Sequence, residues 1–134
     1  MITLSIATRN HAEMCDITAQ VRTVIHETGI NNGAVVVYSP HTTCGITINE
    51  HADPDVARDM LHILDTVFPW NGSYHHREGN AAAHMKTAAV GTSVTVIIEN
   101  GDIQLGTWQG IFLCEFDGPR SRNVWIQPVG ERKD

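Results

Sequence analysis

Residues 93–116 read "SVTVIIENGDIQLGTWQGIFLCEF", and the fold class turns on how this stretch divides. "SVTVIIE" alternates apolar and polar side chains with the period of two that a strand requires. Asn100-Gly101 follows, the dipeptide that best tolerates the positive φ angles of a tight hairpin turn. "IQL" and "GIFLCEF" then read as further strands, and "NVWIQPV" (123–129) as the closing one. The last third of the chain is therefore β-rich with hairpin connections.

Working outward, residues 2–7 alternate as an N-terminal strand. Ile17, Val21, Val24 and Ile25 mark one face of a helix, with Asp16 as its N-cap and Gly29 as its stop. "AVVVYS" (34–39) and "CGITIN" (44–49) are β-rich runs expected to pair with each other. A second helix starts at Asp53-Pro54-Asp55, follows Val56, Met60, Ile63, Leu64 and Val67, and ends at Pro69. Residues 70–79 lack periodicity and read as a loop. Asn80 caps a third helix, "AAAHMKTAAV", closed by Gly91. Helices and strands mix without regular βαβ alternation, which favours a mainly antiparallel α+β fold over a doubly wound sheet. With no linker or repeat, residues 1–134 form a single domain.

The totals narrow the function. The chain has 134 residues, 42% hydrophobic and 18% charged, so it can build a core without disulfide or metal. Nine Lys and Arg against fifteen Asp and Glu give a net charge of -6, which disfavours nucleic acid. No apolar run approaches the ~20 residues of a membrane span. The start of the chain lacks a signal-peptide pattern. Cys15, Cys44 and Cys114 are odd in number and form no CxxC, as expected of reduced thiols in a cytoplasmic protein.

Three segments carry candidate chemistry. In "SPHTTCGITINE" (39–50), His41 follows a strand beside Thr42 and Thr43, and Asn49 and Glu50 end the next strand. A histidine at a strand end suits a ligand or a general base. The alternative is a Pro-His turn and a polar strand end. In "SYHHREGNAAAHMK" (73–86), His75 and His84 flank a helix start capped by Asn80, where anions are favoured. Imidazoles there suit a metal or a phosphate, although the spacing matches no zinc motif. His75 and His76 are adjacent and should point apart, so one of them faces a site. The alternative is a solvated loop. In "GTWQGIFLCEFDGPRSR" (106–122), Trp108 and Gln109 offer a stacking face and an amide, and Glu115, Asp117 and Arg120 sit where a strand meets a turn. There the alternative is a core tryptophan and an ordinary turn. His11, His26 and His62 read as surface or helix-face residues, and His51 as open to either role.

These segments resemble the YjbQ-like family, which is associated with secondary thiamine-phosphate synthase activity. Ser93, Val96, Ile98, Gly101, Gly106, Thr107, Trp108, Gln109 and Ile111 fit its signature. "PHTTCGITINEHADPDV", "YHH…GN…AH" and "CEFDGPRSR" extend the match over essentially the whole chain. The resemblance implies a compact α+β domain with two packed sheets and about three helices, assembled as a homotrimer with sites between subunits. It implies catalytic roles for His41, Thr42, Thr43, Asn49, Glu50, Trp108, Gln109, Glu115 and Arg120. It implies ligand-binding roles for Asn80 and Thr107, and a metal or phosphate held by His41, His75 and His84, with His76 turned away. A small residue at position 44 in the family argues against a catalytic Cys44.

The implied reaction joins hydroxymethylpyrimidine diphosphate to a thiazole phosphate and releases pyrophosphate. A divalent ion, Zn²⁺ or Mg²⁺, with Arg120 and the histidines would neutralise the leaving group, and Trp108 would wall the rings. The chain has no Gly-rich phosphate loop and no carboxylate cluster of the kind that holds Mg²⁺-diphosphate. The alternatives are a metal- or phosphate-binding homotrimer with a different, hydrolytic reaction, and a non-catalytic structural trimer.

Overall fold

A computed structural model describes residues 1–132. The elements run β1 (Ile2–Ala7), β2 (Glu13–Asp16), α1 (Thr18–Thr28), β3 (Ile30–Tyr38), β4 (Cys44–Glu50), α2 (Pro54–Val67), α3 (Ala81–Val90), β5 (Ser93–Glu99), β6 (Asp102–Gln104), β7 (Gln109–Glu115) and β8 (Ser121–Arg132). Five strands form one sheet in the order β1-β8-β3-β5-β6, and three form another in the order β2-β7-β4. Every pairing is antiparallel, as the hairpin signals predict.

Strand periodicity builds the core. Val35, Val37, Val96, Ile98, Val124 and Ile126 of the large sheet meet Ile46, Ile111 and Leu113 of the small one, and Val21 and Ile25 of α1 join them. Each such side chain, fully buried, contributes about 1.5–3 kcal/mol of transfer free energy. The opposite face of β7 presents Phe112, Cys114 and Phe116 to Leu61, Leu64, Trp70 and Ala83. Strand β7 thus lies between the large sheet on one side and α2 and α3 on the other, which is why its run is apolar rather than alternating.

One expected pairing is corrected. Residues 34–39 and 44–49 do not pair, because β3 lies between β8 and β5 in the large sheet while β4 pairs with β7 in the small one. Both edges of β3 are occupied, and Pro40, which lacks an N–H, ends it. The Ser39 N–H donates to Thr92 O at 2.7 Å, and the chain then crosses between sheets. His41 therefore lies in a crossover and not in a hairpin turn. Strand β2 was not anticipated, since four residues at a sheet edge are too few to show a period.

The helix ends follow the sequence closely. α1 starts at Thr18, with Ile17 at the N-cap, yet Asp16 still serves it by accepting from the Thr18 N–H at 3.0 Å and the Thr18 hydroxyl at 2.6 Å. Gly29 ends it in the left-handed region at φ 73. Asp53 caps α2 by accepting from the Asp55 N–H. Asn80 occupies the N-cap position of α3, but its side chain makes no capping bond.

Candidate functional site

The ends of β7 and β8 carry a buried ion pair between the sheets. Glu115 pairs with Cys44 in the small sheet, and Arg122 pairs with Ile6 in the large one. Arg122 Nε donates to Glu115 Oε1 at 2.8 Å, and its Nη2 donates to Glu115 Oε2 and to Thr43 Oγ1 at 2.9 Å. The Thr8 hydroxyl lies 2.7 Å from Glu115 Oε1 and accepts the Arg120 N–H at 2.8 Å. The Asp117 N–H donates to Glu115 Oε2 at 3.1 Å. Burial alone would raise the Glu115 carboxyl, but the bonds from Arg122, Thr8 and Asp117 outweigh it and hold the group below the usual carboxylate range. Glu115 is 0% exposed and Arg122 is 3% exposed, so within one subunit this pair is closed off from solvent and positions its neighbours.

Outside the pair stands a second layer. Arg120 Nε donates to Asp117 O at 2.7 Å, and its Nη2 to Asp117 Oδ2 at 2.8 Å, while the side chain stays half exposed. Asn80 Nδ2 donates to the same Oδ2 at 2.9 Å, which ties the start of α3 to the turn after β7. Asn80 Oδ1 is buried without a partner among the described residues. Gly118 is required here, because a Cβ would lie 2.3 Å from Asn10 O and 2.8 Å from Glu115 Cγ.

His41 joins this cluster. Its Nε2 accepts the Asn123 N–H at 2.9 Å, beyond the point where β3 ends its pairing with β8 at Tyr38 and Trp125. An accepting Nε2 means a neutral ring with its proton on Nδ1. Burial, followed by the charge of Arg122, holds the His41 pKa below its ordinary value. Thr43 is buried against Arg122, and Thr42 is exposed. Burial pushes the Cys44 thiol up to about 12, so it is no nucleophile near neutral pH.

The remaining expected residues lie elsewhere. The β4–β7 ladder runs from Cys44 opposite Glu115 to Glu50 opposite Gln109. Asn49, Glu50, Thr107, Trp108 and Gln109 thus gather at its far end, about 20 Å away at the usual strand rise. Trp108 is 63% exposed there. Gln109 Oε1 accepts the Gly106 N–H, Asn49 Oδ1 the Glu50 N–H, and Glu50 Oε2 the Ala52 N–H.

An Asp–His dyad completes this end and gives a partner to His51, whose role the sequence leaves open. His51 Nδ1 lies 2.9 Å from Asp16 Oδ2, while Thr18 fixes the other carboxylate oxygen. The ring sits over Gly110, where a Cβ would come 2.5 Å from Nδ1. Burial would raise the Asp16 carboxyl, but Thr18 and His51 together hold it low.

The histidine loop is arranged differently from the expectation. The ring meeting His84 is His76, with centroids 5.0 Å apart and planes at 75°, and both His75 and His76 are exposed. Tyr74 is tied back to Pro69 O at 2.6 Å just before the two histidines, and His76 is the one that reaches α3. Among the described residues, no three His, Cys, Asp or Glu side chains are gathered to hold a metal ion. His41, His75 and His84 therefore do not fit a preformed metal centre within one subunit.

Sequence reasoning missed Arg122 and Lys86. Arg122 shares the inward phase of Val124 and Ile126, so strand periodicity could have placed it in the core. Lys86 stands three and four positions after Ala83 and Ala82 on the buried face of α3.

Two antiparallel sheets tied by a buried Glu–Arg pair, with a polar cluster at each end of one ladder, define a class of small α+β domain. The model of the family described as UPF0047 protein YjbQ-like matches residues 2–131, and the chain belongs to that family. UPF0047 protein YugU of Bacillus subtilis is 57% identical, with 96% of this chain and 98% of the relative covered. A UPF0047 protein of Methanocaldococcus jannaschii is 46% identical over 95% and 92% of the two chains. The crystal structure of a conserved YjbQ/UPF0047 family protein from Clostridium acetobutylicum superposes with a TM-score of 0.94 at 52% identity, covering 96% of this chain and 100% of that one.

Proposed function

We propose that the chain acts as a homotrimer whose site, shared between subunits, binds phosphorylated small molecules and carries out thiamine-phosphate synthase-like transfer. Hydroxymethylpyrimidine diphosphate and a thiazole phosphate would be joined with release of pyrophosphate. The observation behind this reading is the separation of the two polar clusters. One end of the ladder holds a half-exposed guanidinium, Arg120, suited to a diphosphate. The other holds an exposed indole, Trp108, suited to a flat ring. About 20 Å apart in one subunit at the usual strand rise, they form one site only if a neighbour brings them together.

A surface for that assembly is present. The outer face of the large sheet carries Tyr38, Ile97, Trp125 and Val129, all exposed, with Tyr38 and Trp125 stacked at 5.7 Å. The other outward residues of β8 before Pro128 are Ser121, Asn123 and Gln127, all uncharged. Burying this face around a threefold axis removes apolar area from water. A cytoplasmic setting accords with the three free thiols.

The hydrolytic alternative has its own support in the Asp16–His51 dyad. With Nδ1 bonded to Asp16, His51 Nε2 is the lone-pair nitrogen and can take a proton from water. Steady-state assays with the two thiamine precursors separate the readings. Pyrophosphate release that requires both precursors supports transfer, and release of phosphate from either one alone supports hydrolysis.

A further inference from the structure

A recess of about 720 Å³ opens between the loop after β1, helix α2 and helix α3. It lies on the Phe116 side of β7, the face opposite the Glu115–Arg122 pair. Its walls include His11, His62, Asp65, Trp70, Lys86 and Phe116. The volume is in the range of small-molecule pockets, roughly 300–1,000 Å³.

Lys86 is the unusual member. Its side chain is only 6% exposed, whereas that of Asp65, which accepts from Nζ at 3.1 Å, is 64% exposed. Among the described residues, Asp65 is the only hydrogen-bond partner of this ammonium, which has three N–H donors to satisfy. A buried cation with one solvent-washed partner is poorly compensated, and an anion that enters the recess can take the donors left over.

We propose that this recess binds a small organic carboxylate with an apolar body, held by Lys86. A single ammonium, already shared with Asp65, disfavours a dianion more strongly than a monoanion. No arginine lines the recess among the described residues, which disfavours a phosphate. The indole of Trp70, with the His11 ring edge-on at 4.4 Å, and the phenyl ring of Phe116 form a wall for the apolar part. The recess abuts the turn that carries Asp117 and Arg120, since the Gly118 N–H donates to His11 O at 2.9 Å, but the cation that lines it is Lys86 and not Arg120.

The test is calorimetry on the assembled protein with sodium benzoate, benzyl alcohol and inorganic phosphate, with nuclear magnetic resonance of the Trp70 indole N–H to locate binding. Saturable benzoate binding that shifts the Trp70 signal is expected, with benzyl alcohol and phosphate each weaker by about tenfold or more. Lys86→Met keeps the apolar stem and should lose benzoate by a similar factor while leaving benzyl alcohol unchanged. Asp65→Asn frees the ammonium and should tighten benzoate several-fold, a sign that holds even if Lys86→Met fails to fold. Absence of saturable benzoate binding overturns the proposal. So does phosphate binding more tightly than benzoate, undiminished benzoate binding in Lys86→Met, or weaker binding in Asp65→Asn. Binding is read without turnover, so failure here leaves the transferase reading untouched.

Discussion

The Nε2 of His41 accepts the backbone N–H of Asn123 at 2.9 Å and takes the place of a strand partner that β3 no longer supplies. A side chain expected as a ligand is thus half committed to the sheet. His41→Ala should leave the Asn123 N–H without this partner, at a cost of about 1–3 kcal/mol if water does not replace it. Urea unfolding gives the cost, and faster exchange of the Asn123 amide with unchanged protection at Ile126 gives its location.

Glu115 and Arg122 should behave as a buried pair. Glu115→Leu alone leaves an uncompensated guanidinium and should cost about 3–5 kcal/mol, while Glu115→Leu combined with Arg122→Met should recover most of that loss. The pH dependence follows from the lowered Glu115 pKa. The unfolded carboxyl takes up its proton near ~4.3 and the folded one only below that, so the stabilisation is complete above the unfolded value. It is lost as pH falls through the folded value. In denaturant unfolding between neutral pH and acid, wild type should lose stability relative to the double variant as pH falls, since only wild type carries the Glu115 carboxyl.

Gly110→Ala should expel the His51 ring, because the added Cβ falls 2.5 Å from Nδ1. Overpacking of this kind costs about 1–3 kcal/mol. The ring resonances of His51 should lose their dependence on Asp16, which comparison with Asp16→Asn checks.

Trp125→Asp places a charge on the outer face of the large sheet. Sedimentation at micromolar concentration should show a trimer for wild type and a monomer for the variant. A wild-type monomer would remove the basis for a shared site.

Much of the fold was legible because it rests on local signals. Asn100-Gly101 marked the β5–β6 turn, Asp53-Pro54 the start of α2, and Gly29 the end of α1. What failed was partner choice. Residues 34–39 and 44–49 are both strands, but period-two patterns do not say which sheet a strand joins. Of the candidate site, His41, Thr43, Asn80, Glu115 and Arg120 do come together from three distant segments. The split from Trp108 and Gln109 was hidden, since it follows from β7 running the length of the small sheet between them. Which of His75 and His76 meets His84 depends on how Tyr74 anchors the loop, and no spacing rule encodes that.

The central claim is that Arg120 of one subunit and Trp108 of another serve the same site. Arg120→Ala and Trp108→Ala proteins, each inactive alone in the two-precursor assay, should be unfolded, mixed and reassembled. If the site is shared, an equal mixture regains about a quarter of wild-type pyrophosphate release, because one interface in four then pairs an intact Arg120 with an intact Trp108 across subunits. No recovery at any ratio, in mixtures shown by mass spectrometry to contain mixed trimers, would contradict it.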